Sequence, residues 1–126
     1  MPIRRILIVD DESDIREVAQ MSLETVSGWQ VLTAESGEEG ITKAKQEKPD
    51  AILLDAMMPS MDGPATFQKL QADPSTKQIP VIMFTAKVQA ADRKRFADLG
   101  VKDAIAKPFD PMKLGSQIAA ILGWSQ

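Results

Sequence analysis

Four short apolar runs in this chain end in polar side chains that could act together. Asp10 and Asp11 follow residues 6–9, Asp55 follows residues 51–54, Thr85 follows residues 81–84, and Lys107 follows residues 104–106. A carboxylate at the end of a segment suited to burial is costly unless it is compensated or lies at the rim of a site. The pattern therefore predicts a site rather than a set of unrelated turns.

The charges of these side chains indicate what the site would hold. Asp10, Asp11 and Asp55 carry −3 when ionised, Lys107 adds +1, and the remaining −2 matches one divalent cation. Oxygen ligands on a rigid scaffold favour a hard ion, and Mg²⁺ is bound by few protein carboxylates. A carboxylate beside such an ion can attack phosphorus and form an acyl phosphate.

The elements that must position these residues alternate along the chain. Apolar runs near residues 6–9, 29–33, 51–54, 81–84 and 104–106 read as strands. Amphipathic helical patterns lie between them, which predicts a (βα)₅ α/β fold with a parallel sheet and helices on both faces. Sites in such sheets form outside the carboxyl ends of the strands, where the polar residues are expected.

Several helix ends are also readable. Ser13 is a candidate cap for the first helix, Ser36 and Glu39 form a candidate capping box, and Gly100 is a natural end for the fourth helix. The third helix is predicted to start near Asp62. Asp110 followed by proline predicts the start of the fifth helix.

Composition excludes several classes of function. The chain has 126 residues, which fits one domain, and it contains neither cysteine nor histidine. Thiolate zinc sites and triads built on histidine are therefore excluded. The formal net charge of −3 gives no reason to expect binding to nucleic acid or to a membrane. We expect a cytoplasmic protein whose single domain spans residues 1–126 with no output domain, because the chain ends directly after the last helical pattern.

Four motifs resemble those of response-regulator receiver domains. They are LIVDDE at 7–12, LLDAMMPSMDG at 53–63, PVIMFTA at 80–86 and KPF at 107–109. The chain is similar to the single-domain chemotaxis regulators along essentially its whole length. The resemblance implies a flavodoxin-like doubly wound fold whose five-stranded parallel sheet has the order 2-1-3-4-5.

The resemblance also implies a role for each polar residue. Asp55 would be the phosphoacceptor, Thr85 the switch hydroxyl, and Lys107 the ammonium that pairs with the phosphoryl group. The Mg²⁺ ligands would be Asp10, Asp11, Asp55 and the backbone carbonyl of Met57. The bond between Lys107 and Pro108 would be cis, and Gly63 would permit a tight backbone after the third strand.

One position departs from the family's pattern. Many receivers carry an aromatic residue three positions before the lysine, and here that position is Ala104. Phosphorylation chemistry is unaffected, but output is then expected to pass through the loops after the third and fourth strands. Met57 and Lys87 flank the site, and each is interpreted either as tuning the access of water or as ordinary surface.

Positive charge collects on and before the fourth helix, at Lys87, Arg93, Lys94 and Arg95. A run of charges on a helix is usually its solvated face, and we favour that interpretation. The alternative is a partner surface, because receivers often use the one formed by helix four, strand five and helix five.

The predicted function is a phosphorylation-dependent signalling switch of a two-component system or phosphorelay. Asp55 would accept a phosphoryl group, with Mg²⁺, from a histidine kinase or a histidine phosphotransfer protein. The domain would catalyse only its own modification and would not be an enzyme with external turnover. A change in conformation would then act on a downstream protein.

Two other classes of function remain as alternatives. The first is a receiver-like interaction module that works without phosphorylation, which Ala104 favours and the clustered charges disfavour. The second is an enzyme or carrier of similar fold. An aspartate-nucleophile phosphatase usually has a second aspartate where this chain has Met57, and Asp10-Asp11-Glu12 would repel the phosphate of a flavodoxin-like carrier.

Overall fold

The chain folds as an alternation of strands and helices. The structure is a computed structural model that describes residues 3–86 and 88–124. Its strands are β1 (Arg5–Val9), β2 (Gln30–Ala34), β3 (Ala51–Asp55), β4 (Val81–Thr85) and β5 (Asp103–Ala106). Its helices are α1 (Ser13–Thr25), α2 (Gly37–Glu47), α3 (Gly63–Ala72), α4 (Ala90–Leu99) and α5 (Leu114–Leu122).

The five strands form one parallel sheet of order β2-β1-β3-β4-β5, which confirms the predicted (βα)₅ doubly wound fold. β3 and β4 are buried along their whole length, as expected for central strands covered on both faces. Asp55 and Thr85 are the last residues of these strands. Both therefore belong to the sheet itself and not to the loops that follow.

Two apolar cores lie on opposite faces of the sheet. On one face the side chains of α2, α3 and α4 pack against the strands, and Phe67 and Phe96 are the largest of them. On the other face α1 and α5 cover the sheet through residues that include Leu23 and Ile118. Alternate residues of each strand serve the two cores, which fixes the face to which every strand side chain points.

Helix ends follow the predicted signals in three cases. Ser36 accepts a hydrogen bond from the Glu39 N–H at 3.1 Å, and Asp62 accepts one from the Ala65 N–H at 2.9 Å. α4 ends at Gly100, whose φ of 106° lies in the left-handed region. The reciprocal half of the capping box differs from the prediction, because the Glu39 carboxylate accepts from the Glu35 N–H at 2.6 Å.

Two predicted helix starts were wrong. Glu12 is the N-cap of α1, so Ser13 is already the first helical residue. Asp110 and Pro111 open a separate turn, in which Asp110 accepts from the Met112 N–H at 2.9 Å, and α5 begins only at Leu114. Asp110, although suited to capping, thus stabilises the preceding turn instead of the helix.

Charged and aromatic side chains also meet at the amino end of the sheet. Arg5 donates to the Glu47 carbonyl at 2.6 Å and to its carboxylate at 2.8 Å. The rings of Trp29 and Trp124 stack edge to face with centroids 5.5 Å apart, and the Arg4 guanidinium lies 4.4 Å from the Trp124 ring. In the part of the chain that the structure describes, every helix is too short or too polar to cross a membrane.

Candidate phosphoacceptor and metal site

The predicted polar residues converge at the carboxyl edge of the sheet. Asp10 follows β1 directly, Asp55 ends β3, Thr85 ends β4, and Lys107 follows β5. Because β3 lies between β1 and β4, the Asp55 side chain stands at the middle of this edge. The sheet order thus brings together residues that are up to 97 positions apart in sequence.

Asp10 is fully buried and is held by several contacts. Its N–H donates to the Ala34 carbonyl at 3.0 Å. One carboxylate oxygen accepts from the Glu12 N–H at 2.9 Å, and the other accepts from the Lys107 ammonium at 2.6 Å. A charged, hydrogen-bonded pair of this kind holds a buried carboxylate in a fixed orientation.

Asp55 is buried with less compensation, at 4% exposure. Its carboxylate accepts from the Met57 N–H at 3.1 Å and lies 3.4 Å from the Lys107 ammonium. Burial is the largest influence on the Asp55 carboxyl group and raises its pKa from 3.8 to about 6. The Met57 N–H and the charge of Lys107 oppose this rise in pKa, and the negative charge of Asp10 adds to it. Such a group gains stability from any further cation that approaches it.

Lys107 joins the two buried carboxylates. Its ammonium lies between Asp10 and Asp55. The ammonium is also 4.9 Å from the centre of the buried Phe84 ring. Its backbone N–H donates to the Thr85 carbonyl at 2.9 Å. The peptide bond to Pro108 is cis, as the resemblance implied.

Three carboxylates at this edge could hold a metal ion. Asp10, Asp11 and Asp55 each offer an oxygen, and these oxygens lie within 4.8 Å of one another. Asp10 and Asp55 are buried, whereas Asp11 is exposed on the open side of the cluster. With Lys107 nearby, the formal surplus of negative charge suits one hard divalent cation. The donor set therefore fits Mg²⁺.

The segment between β3 and α3 closes tightly around Asp55. The Ala56 N–H donates to the Phe84 carbonyl at 3.3 Å, and the Gly63 N–H donates to the Ala56 carbonyl at 3.1 Å. A Cβ at Gly63 would lie 2.6 Å from the Asp55 carbonyl oxygen. This confirms the expectation that Gly63 permits close backbone packing after the third strand.

An open cleft of about 420 Å³ lies between this segment and α4. Met57, Thr85 and Phe96 are among the residues that line it. Thr85 is 3% exposed, and Met57 is 66% exposed. The cleft thus reaches the carboxyl edge of the sheet at Thr85, the last residue of β4. Lys87, the second residue predicted to flank the site, lies outside the described residues.

The basic residues of α4 are each matched by an acidic partner. Arg93 pairs with Asp103, Lys94 lies 3.1 Å from Asp98, and Arg95 lies 3.4 Å from Asp92. These pairs balance the charge of the helix surface, as is typical of a solvated helix face.

A doubly wound parallel sheet whose carboxyl edge gathers clustered aspartates and a lysine defines the class of regulatory phosphoacceptor domains. The family model for the response regulator receiver domain matches residues 6–119. The chain therefore belongs to the response regulator receiver domain family, whose members act in two-component signalling.

Similar proteins agree with this assignment. The chain is 40% identical over 123 residues to the alkaline phosphatase synthesis transcriptional regulatory protein PhoP of Bacillus subtilis, covering 98% of this chain and 50% of that protein. It is 39% identical over 119 residues to the phosphate regulon transcriptional regulatory protein PhoB of Escherichia coli, covering 94% and 52%. The chain thus spans about half the length of the curated relatives it matches.

Solved structures of similar fold come from the same family. Chemotaxis protein CheY4 of Vibrio cholerae superposes with a TM-score of 0.88 at 27% identity, covering 95% of this chain and 99% of that one. The receiver domain of sensor histidine kinase PA1611 from Pseudomonas aeruginosa superposes with a TM-score of 0.84 at 27% identity, covering 97% and 99%. The latter holds a magnesium ion in its active-site cleft.

One contact at this edge was not predicted. Arg16, in α1, donates from its guanidinium to the Asp10 backbone carbonyl at 2.7 Å. The available signal was a cation near the start of a helix, where acidic residues are preferred. That signal is weak by itself, because the reach of an arginine over six residues depends on the turn that joins β1 to α1.

Proposed function

We propose that Asp55 is the phosphoacceptor of this receiver domain and takes its phosphoryl group from the phosphohistidine of a partner kinase or phosphotransfer protein. One observation carries the proposal most directly. The Lys107 ammonium lies 2.6 Å from Asp10 and 3.4 Å from Asp55, two buried carboxylates that form a cluster with the exposed Asp11. A scaffold has no physical need to bury like charges together.

The transfer would proceed by attack of an Asp55 carboxylate oxygen on phosphorus. An oxygen–phosphorus bond forms while the bond between phosphorus and the donor imidazole nitrogen breaks, and the leaving imidazole takes up a proton from solvent. Lys107 lies where its charge can offset that of the transferred group, and the Thr85 hydroxyl can donate to a phosphoryl oxygen. The domain would thus promote its own modification without turning over an external substrate.

Asp10, Asp11, Asp55 and the backbone carbonyl of Met57 would hold Mg²⁺ at this edge. When bound, the ion offsets the negative charge that gathers between the carboxylates and the phosphoryl oxygens. The protein's own part is to hold the Asp10 carboxylate in place through Glu12 and Lys107. The exposed Asp11 leaves one side of the cluster open to a donor.

The signal would leave the site through the backbone of neighbouring loops. Ala104 is buried at 4% exposure and has no side chain that can change rotamer. The segment after β3 is hydrogen-bonded to the end of β4 through Ala56 and Phe84. A phosphoryl group on Asp55 would shift this connection and, through it, α4. We propose that a downstream protein reads the surface of α4, β5 and α5.

Phosphorylation is tested by intact-mass measurement with a small acyl phosphate donor. Wild type is expected to gain one phosphoryl group with Mg²⁺ and none without it, and Asp55→Asn is expected to gain none. Asp50→Asn is the matched control, because it makes the same chemical change just before the other end of β3. A gain of equal size in Asp55→Asn would overturn the assignment. No gain in folded wild type would favour an interaction module that works without phosphorylation.

A further inference from the structure

Arg16 reaches back from α1 to the end of β1. Its side chain is 18% exposed. One guanidinium nitrogen donates to the Asp10 carbonyl at 2.7 Å, and another lies 3.7 Å from the Glu35 carboxylate. The first contact is short and shielded. The second involves a carboxylate that is 73% exposed, so solvent screens it and it contributes little.

The position of Arg16 is not explained by the helix it belongs to. It lies in the fourth position of α1, close to the positive end of the helix dipole, where a cation is unfavourable. The contact with a strand-end carbonyl offsets that cost. The guanidinium therefore stabilises the segment between β1 and α1 more than it stabilises the helix.

The carbonyl that Arg16 binds belongs to the peptide unit between Asp10 and Asp11. A peptide unit is planar, so fixing its oxygen also fixes the direction of the Asp11 N–H and the position of the Asp11 Cα. The direction of the Asp11 side chain then depends only on the Asp11 φ and its own rotamer. The Asp10 side chain accepts from the Glu12 N–H and from Lys107, and the Glu12 N–H follows the Asp10–Asp11 peptide in the chain, so a shift of that peptide would also disturb the Glu12 contact. Arg16 thus restricts the orientation of the backbone that joins one acidic residue to the next.

We propose that Arg16 is a positioning residue for the acidic cluster, which fixes the Asp10–Asp11 peptide so that both carboxylates face one cation. This inference rests on the proposed function, because it assumes that Asp10 and Asp11 bind Mg²⁺. Residues that orient ligands in this way typically change metal affinity by about 10-fold or more when they are replaced.

The chain supplies a matched control at the other end of the same strand. Arg5 makes the same two kinds of contact as Arg16, donating to the backbone carbonyl of Glu47 and to its carboxylate. It lies at the start of β1, at the opposite edge of the sheet from the acidic cluster. Arg5→Gln therefore removes equivalent chemistry without touching the cluster.

The experiment measures Mg²⁺ affinity by calorimetry and the exchange rate of the Glu12 amide by NMR in metal-free protein. Arg16→Gln is expected to weaken Mg²⁺ binding by about 10-fold and to speed exchange of the Glu12 amide, which donates to Asp10. Arg16→Lys keeps the charge but loses the planar fork, and it should remain weaker than wild type. Glu35→Gln and Arg5→Gln should stay within about twofold of wild type.

Several results would overturn the inference. A folded Arg16→Gln variant with wild-type affinity would remove any positioning role. Wild-type affinity in Arg16→Lys would show that charge alone matters, and that variant decides the case if Arg16→Gln does not fold. A 10-fold loss in Glu35→Gln would place the effect in the ion pair instead.

The same experiment separates failure of the inference from failure of the proposed function. If wild type neither binds Mg²⁺ nor accepts a phosphoryl group, the proposed function is wrong. The Glu12 exchange rate needs no metal, so it still tests whether Arg16 fixes the Asp10 segment. An unchanged rate in Arg16→Gln would count against the contact itself.

Discussion

Asp55 and Asp73 are aspartates at opposite ends of the sheet, and the protein shifts their pKa values in opposite directions. At the carboxyl edge, burial raises the pKa of Asp55 to about 6. In the loop between α3 and β4, Asp73 accepts from the Ser75 N–H at 2.8 Å and from the Ser75 hydroxyl at 2.7 Å, and it pairs with Lys45 at 3.0 Å. These contacts lower the pKa of Asp73 to about 2.

The difference separates a structural carboxylate from one that is kept reactive. Asp73 receives the donors it needs from its own loop, so its charge stabilises the fold. Asp55 stays under-compensated beside Asp10 and Asp11, so its charge costs stability until something binds. The surplus of negative charge at the carboxyl edge is therefore the better guide to the functional site.

The largest expected effect concerns backbone clearance. Gly63→Ala should destabilise the protein by about 3 kcal/mol, because its Cβ would meet the Asp55 carbonyl oxygen at 2.6 Å and the Ala56 Cα at 2.7 Å. At the amino end, Gly28 has a φ of 70° but open space around it, so Gly28→Ala should cost about 1 kcal/mol. Urea unfolding measures both. Equal losses would contradict the tight packing around Asp55.

Removing the cation from each edge should sharpen the contrast. Lys107→Met leaves Asp10 and Asp55 facing each other, and we expect a loss of about 2 kcal/mol at neutral pH, limited by proton uptake. Arg5→Met removes an exposed pair with Glu47 and should cost less than about 1 kcal/mol. The free energy of unfolding is measured for each variant with and without Mg²⁺. The ion should recover part of the stability that Lys107→Met loses and none of the stability that Arg5→Met loses.

The stability of metal-free protein should respond to Asp55 as pH changes. The folded pKa of about 6 exceeds the ordinary 3.8, so the native state binds more protons between these values and stability falls as pH rises through them. Asp55→Asn should abolish this fall and raise stability at pH 7 by about 1–2 kcal/mol. Asp50→Asn keeps an oxygen that can accept from the Arg5 N–H and should change stability by less than about 1 kcal/mol. A lower stability in Asp55→Asn would contradict the assigned burial cost.

The smallest expected effect on stability is that of Asp73, and its dependence on pH is opposite to that of Asp55. Its folded pKa of about 2 lies below 3.8, so its contribution is full above 3.8 and disappears as pH falls towards 2. Asp73→Asn should lower Tm slightly at neutral pH and flatten the loss of Tm in acid. Lys45→Met removes one of three contacts and should have a smaller effect. If the Tm of Asp73→Asn fell in acid as steeply as that of wild type, this explanation of the Asp73 contribution would be wrong.

Much of the site could be predicted because it depends on strand ends. Apolar runs locate β1, β3 and β4, and a parallel sheet must bring their carboxyl ends to one edge. Asp10, Asp55, Thr85 and Lys107 follow from that rule together with the resemblance. The roles of these residues in phosphoryl transfer stay predictions until the measurements above are made.

Contacts that depend on local turns could not be predicted. Ser13 and Asp110 both carry the side-chain chemistry of a helix cap, yet the N-cap of α1 lies one residue earlier, at Glu12, and that of α5 three residues later, at Lys113. Competing turns differ by small free energies that sequence patterns do not resolve. Arg16 belongs to the same group, because its reach to Asp10 is a product of the turn geometry.

The tryptophan pair at the amino end of the sheet has a spectroscopic consequence. Trp29 and Trp124 are the chain's two tryptophans, and they stack on each other at the edge opposite the acidic cluster. Intrinsic fluorescence will therefore follow the opening of that end during denaturation and will stay nearly silent when the other end is modified. A tryptophan introduced at the exposed Met57 position would place an optical reporter beside Asp55.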